Sequence, residues 1–187
     1  MLKTIAIIGA GRLGRWLALA AARAGFGVCL EDVMPANLRD AREEMAGFAA
    51  EASHPFAKGW RKDGAPGIAF ASTIEDAVRE ADLAIDCVPD ELESKLEIFC
   101  LLDRMAPPRT VLMTPTTQLS IADLAACTYR ADKCVAIAAE AARLAESAGR
   151  ELPIRITSKT AQETVELARS FWERLGFVAR FERDPAE

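Results

Sequence analysis

The chain has 187 residues, 51% of them hydrophobic and 27% charged, with a net charge of −5. That is the balance of a soluble globular protein long enough to bury one sizeable core. The mild acidity offers nucleic acid and anionic membrane no basic patch. No apolar run reaches the roughly 18 residues that span a bilayer. Met1 to Ile5 enters a strand pattern directly, with no signal-peptide layout. Five cysteines (Cys29, Cys87, Cys100, Cys127, Cys134) form no C-x-x-C pair, and His54 is the single histidine. Reduced, mostly buried thiols, no metal site and a cytoplasmic setting are therefore expected.

In chain order, Thr4 to Ile8 is a continuous apolar run suited to a central parallel strand. Leu13 to Ala24 reads as an alanine-rich helix closed by Gly25. A second strand, Val28 to Leu30, ends in Glu31 and Asp32, and a helix opened by Pro35 is expected over 35–52. A Gly- and Pro-rich loop over 53–67 precedes a strand at Ile68 to Phe70. Ser72-Thr73-Ile74-Glu75 has capping-box spacing and opens a helix to Ala81. A strand over 83–88, a helix over 91–105 and a strand over 110–113 follow. Ser120 caps a short helix, and Cys134 to Ala138 is another strand. The remainder reads as a helix over 139–149, a strand over 153–157, a helix over 159–175 and a strand over 177–181. The alternation predicts one α/β domain over 1–187, of the Rossmann type, with a doubly wound, mostly parallel sheet and helices on both faces.

The sharpest motif is Gly9-Ala10-Gly11-Arg12-Leu13-Gly14, lying between the first strand and the first helix. Gly9 permits a tight turn, Gly11 lets the backbone approach a pyrophosphate, and Gly14 lets the helix pack against the sheet. The first N–H groups of the helix, from Arg12 and Leu13 onward, then attract the phosphates. Asp32 ends the second strand about twenty residues on, where a carboxylate accepts the ribose hydroxyls of NAD(H) and repels the 2′-phosphate of NADP(H). Glu31 points the other way by strand alternation. The plainer alternatives are a structural glycine turn and a solvated strand-end acid.

Further blocks resemble the NAD-binding domain of the 3-hydroxyacyl-CoA dehydrogenases. Ile5 to Gly14 is similar to that family's V-x-V-I-G-A-G-x-M-G, and Val28 to Asp32 to its V-x-L-x-D. Asp82 to Asp90 resembles D-L-V-I-E-A-x-x-E, and Lys95 with Phe99 to Asp103 resembles K-x-x-x-F-x-x-L-D. Val111 to Ile121 resembles I-L-A-S-N-T-S-S-L-S-I. The resemblance implies that Asp90 and Lys95 serve the nicotinamide-ribose side of the cofactor, and that Thr117 stands for the family's active-site serine. A threonine hydroxyl has the same donor and acceptor capacity as serine.

The resemblance also shows departures. In the block matching D-R-F-x-G-x-H-F-F-N-P, Ala138 stands at the histidine and Ala141 at the asparagine, and the position of the orienting glutamate falls near Arg155. The family's helical C-terminal domain would begin where this sequence stops. Glu140 and Lys159 are the remaining candidate proton carriers. Two functions stay open. One is an NAD-dependent oxidoreductase acting on a 3-hydroxyacyl-CoA or a small hydroxy acid, with a replaced base. The other is a non-catalytic NAD(H)-binding module, serving as a redox sensor or assembly partner. A symmetric homodimer is expected, with no nucleic-acid or membrane partner.

Overall fold

The computed structural model describes residues 2–49, 67–139, 144 and 151–187. His54 with nearly all of the expected 53–67 loop, and Glu140 with most of the expected 139–149 helix, lie outside the described residues. The elements are β1 (Thr4–Ile8), α1 (Arg12–Arg23), β2 (Gly27–Glu31), α2 (Pro35–Ala49), β3 (Ile68–Ala71), α3 (Ile74–Val78) and β4 (Leu83–Asp86). They continue with α4 (Leu92–Met105), β5 (Val111–Pro115), α5 (Ile121–Ala126), β6 (Cys134–Ile137), β7 (Glu151–Ile156), α6 (Gln162–Arg174) and β8 (Val178–Arg183). No helix among the described residues is long and apolar enough to cross a membrane.

The eight strands form one sheet in the order β3-β2-β1-β4-β5-β6-β7-β8. All neighbours run parallel except β6 and β7. The chain steps outward from β1 to β2 and β3, then returns to place β4 on the other side of β1. That reversal leaves a crevice at the carboxyl ends of β1 and β4, where ligands of open α/β sheets bind.

Strand alternation sorts the core into two layers. Ile5, Ile7, Val28, Leu30, Ile85 and Met113 face the layer of α1, α2 and α6. Ala6, Ile8, Cys29, Ala84, Leu112 and Ala136 face that of α3, α4 and α5. α1 buries Leu13, Gly14, Leu17, Ala18 and Ala21, so its small residues bring it close to the sheet. It ends, as expected, at Gly25 with φ +87°.

The last helix closes the first half of the sheet. Phe171 of α6 lies 5.5 Å from Phe26, and Trp172 lies 5.3 Å from Phe177. Arg174 sits 3.8 Å over the Phe26 ring and donates to the carbonyl of Ala24 at the end of α1.

Several boundaries differ from the sequence reading. The capping residue of α3 is Thr73 rather than Ser72: its hydroxyl accepts the Asp76 N–H at 3.2 Å, and the helix stops at Val78. β4 ends at Asp86, because Val88 N–H turns back onto the Asp86 carboxylate. α6 begins at Gln162, since residues 157–160 form a turn tied by the Thr157 and Thr160 hydroxyls. Only Cys29 and Cys134 are buried; Cys87, Cys100 and Cys127 are half-buried, and all five are free.

Candidate cofactor site

The glycine loop is stitched to the tip of β2 by consecutive N–H groups. Gly9, at φ +100°, donates to the Glu31 carbonyl at 2.8 Å. Ala10 donates to Asp32 Oδ2, also at 2.8 Å. A side chain at Gly9 would meet the Cys87 backbone of the neighbouring β4 loop at 3.3 Å. One at Gly14 would lie 1.9 Å from the Gly9 carbonyl oxygen. At Gly11 nothing stands within 4 Å. The three glycines thus serve a turn, an open approach and a close packing.

Gly11 is the N-cap of α1 and gives no side-chain cap, and no acid occupies the first turn. The first N–H groups of the helix therefore keep their capacity for an anion. Arg12 is exposed at this tip, whereas Leu13 turns into the core and contributes through its main chain.

Asp32 is 8% exposed, so it is no solvated strand-end acid. Its carboxylate accepts Ala10 N–H and the Asn37 side-chain amide on Oδ2, and Met34 N–H at 2.8 Å on Oδ1. Oδ1 keeps a lone pair for a further donor such as a sugar hydroxyl. Glu31, turned to the α3 side of the sheet as alternation requires, is buried. Burial, with the Asp32 charge adding to it, pushes its carboxyl up to about 7.

Across the crevice, Asp86, Lys95 and Thr114 form a network with no solvent exposure. Lys95 Nζ reaches Thr114 Oγ1 at 2.8 Å, Asp86 Oδ2 at 3.2 Å and the Val88 carbonyl at 3.3 Å. Thr114 donates in turn to Asp86 Oδ2 at 3.0 Å. Burial raises the Asp86 carboxyl above its ordinary range, and the Lys95 charge opposes that rise. The Lys95 ammonium is thus committed inward and fixes the turn after β4. Sequence reading missed Asp86 and Thr114; the available signal was one polar residue at the end of each of two adjacent apolar strands.

Above this network the structure brings together two of the carried-over residues. Asp90 Oδ2 accepts the Thr117 N–H at 3.2 Å, joining the loops after β4 and β5, and both residues are exposed. Ala138 follows β6, and its N–H donates to the Pro153 carbonyl at 2.9 Å. Because β6 and β7 are antiparallel, Pro153 stands opposite Ala138, and Arg155 stands opposite Ala136. The residue across from Ala138 is therefore a proline, and neither it nor Arg155 is a carboxylate. Lys159 follows β7 at the other end of the sheet, where Ala161 N–H bonds Asp132 O just before β6. That removes it from the strand ends that carry Thr117 and Ala138. Among the described residues no group of three or more His, Cys, Asp or Glu is placed to hold a metal.

A reversal of strand order, a glycine turn beneath an uncapped helix and a strand-end aspartate define a dinucleotide-binding domain of the dehydrogenase type. The chain belongs to the 3-hydroxyacyl-CoA dehydrogenase, NAD binding domain family, whose model matches residues 4–179. It is 33% identical over 138 residues to a probable 3-hydroxybutyryl-CoA dehydrogenase of Bacillus subtilis (strain 168), covering 72% of this chain and 47% of that protein. It is 32% identical over 126 residues to the 5-formyl-3-hydroxy-2-methylpyridine 4-carboxylate 5-dehydrogenase of Mesorhizobium japonicum, covering 67% of this chain and 40% of that protein. The chain spans less than half the length of these two relatives. The solved structure of 3-hydroxybutyryl-CoA dehydrogenase from Escherichia coli K12 superposes with a TM-score of 0.81 over 98% of this chain and 39% of that one. At 23% identity, that likeness speaks for the shared Rossmann-type fold.

Proposed function

We propose that this chain holds NAD(H) in preference to NADP(H) and does not by itself oxidise 3-hydroxyacyl-CoA at an appreciable rate. Gly9, Gly11, Arg12, Leu13 and Gly14 would take the pyrophosphate, and Asp32 the adenosine ribose. Asp90 would serve the nicotinamide-ribose side directly, and Lys95 would serve it by fixing the turn beneath. The fit rests on the open side of Gly11, the uncapped start of α1 and the spare lone pair of Asp32. The chemistry nicotinamide supplies at such a site is hydride transfer.

The observation that carries the second half of the reading is the pairing of Ala138 with Pro153. Oxidising an alcohol needs a base for the hydroxyl proton, a contribution of about 10²–10⁴ in rate. Thr117 can hydrogen-bond a substrate oxygen but cannot carry a proton away near pH 7. The joined Asp90 and Thr117 favour the competing reading, an oxidoreductase with a replaced base. Its substrate would be a 3-hydroxyacyl-CoA, the class named for several relatives, or a small hydroxy acid. Five unpaired cysteines suit the reducing cytoplasm proposed as the setting.

One sample tests both halves. NADH titrated by calorimetry should bind at least about tenfold tighter than NADPH. Asp32→Ala should erase the preference. Acetoacetyl-CoA reduction in the same sample should be negligible. Turnover that falls on Thr117→Ala would establish the oxidoreductase reading instead, and equal affinities would remove Asp32 as the selector.

A further inference from the structure

Beside Asp32, at the tip of β2, stands a second carboxyl, that of Glu31, which no side chain among the described residues pairs with. Glu31 is 4% exposed, yet its carboxyl makes no hydrogen bond or ion pair. The other buried acids among the described residues, Asp32, Asp86 and Asp184, are all hydrogen-bonded. Glu31 alone of this set is left with its acceptors free.

Its position ties it to the glycine loop. Glu31 pairs in register with Ile8 of β1 and Ala71 of β3, and its carbonyl takes the Gly9 N–H. Adjacent strands lie about 4.8 Å apart, so the mouth of α1 is within roughly 10 Å. Apart from burial, the charge that acts on its carboxyl is that of Asp32. Asp32 is its neighbour in the chain, Cys29 lies two residues back on the same face, and the charge of α3's Asp76 reaches that thiol. Asp76 is itself paired with Arg79 at 2.6 Å. Among the described residues no lysine or arginine pairs with Glu31, and burial with the neighbouring acids pushes the Cys29 thiol up to about 12.

We infer that Glu31 is the proton-carrying member of the cofactor corner: the doubly charged pyrophosphate is accepted with this carboxyl neutral, so NAD(H) binding takes up a proton here. The inference rests on NAD(H) occupying the site proposed above. The proton comes from solvent and adds to the Glu31 carboxylate; no bond of the cofactor changes. Below about pH 6 the carboxyl is already neutral, and binding is independent of pH. Above neutrality, each further pH unit weakens binding by up to about tenfold.

The test is calorimetric titration of the full chain with NADH at pH 7.5 in two buffers of different ionisation enthalpy. Wild type should take up about half a proton or more per NADH. Glu31→Gln should take up none and bind at pH 8 as tightly as wild type does at pH 6. His54→Gln should keep the uptake; its loss there would assign the proton to the imidazole and overturn the inference. The wild-type dissociation constant needs no variant, and a flat profile from pH 6 to 8 overturns it even if the Gln protein fails to fold. NADH bound without proton uptake overturns the Glu31 role and leaves the cofactor reading standing. No NADH binding at any of these pH values overturns both.

Discussion

The two banks of the crevice are built differently. On the β4–β6 bank, the framework is the buried Asp86–Lys95–Thr114 network, while Asp90 and Thr117 lie exposed above it, joined by one hydrogen bond. On the β1–β2 bank, the groups that would touch the cofactor are themselves the framework: Gly9 and Ala10 N–H are spent on β2, and Gly14 touches the Gly9 carbonyl region. On that bank Gly9 and Gly14 cannot take a side chain without disturbing the framework, and Gly11 is the open exception. A bank whose candidate groups lie on exposed tips, as on the β4–β6 side, can exchange them and keep its shape.

The largest effect should come from the framework of the second bank. Lys95→Met strands the Asp86 carboxylate in the core and should cost about 3–5 kcal/mol in urea unfolding. Adding Asp86→Leu should recover most of it. If the single variant unfolds like wild type, the second bank has no such foundation and the contrast fails.

The next effect separates two glycines of one motif. Gly14→Ala forces a methyl carbon to within 1.9 Å of the Gly9 carbonyl oxygen, at an expected cost of about 3 kcal/mol. Gly11→Val should melt within about 1 kcal/mol of wild type yet lose NADH binding. A stable Gly11→Val that binds NADH normally would make the loop structural only.

Glu31 sharpens the comparison through pH. Its folded value of about 7 lies above the ordinary 4.5. Its contribution is therefore full below about pH 4.5 and is lost as pH rises through 7. Relative to Glu31→Gln, wild type should lose up to about 3 kcal/mol between pH 4.5 and 8. Parallel melting curves across that range would show that the carboxyl is not held out of water.

The smallest effect is expected at the exposed tip. Thr117→Ala keeps its main-chain bond to Asp90 and should change stability by less than about 0.5 kcal/mol. A loss of several kcal/mol would mean that the tips, too, belong to the framework.

The sequence showed the first bank well because its signals are local. Glycine spacing, an apolar strand and an acid at the next strand's end all lie within one βαβ unit. The second bank needed pairings the sequence does not print. Asp86 meets Thr114 only through the register of β4 on β5, and the inward bond of Lys95 to Thr114 follows only once α4 is laid over that strand pair. Ala138 meets Pro153 only because β7 reverses direction. The burial of Glu31 depends on the strands and helix around it, so alternation gave its side and not its isolation.

The seal of α6 over Phe26 bears on the order in which the protein is made. The glycine loop, α1 and β2 are complete by about residue 32, and the pairing that builds the cofactor corner is nearly all local. Yet the ring at Phe26 and the carbonyl at Ala24 wait for Phe171 and Arg174, roughly 150 residues later. During synthesis the first unit emerges with that apolar flank bare, a surface that invites wrong partners until the last helix arrives. A ribosome stalled before residue 162 would therefore hold a half-made protein that a chaperone should recognise at Phe26.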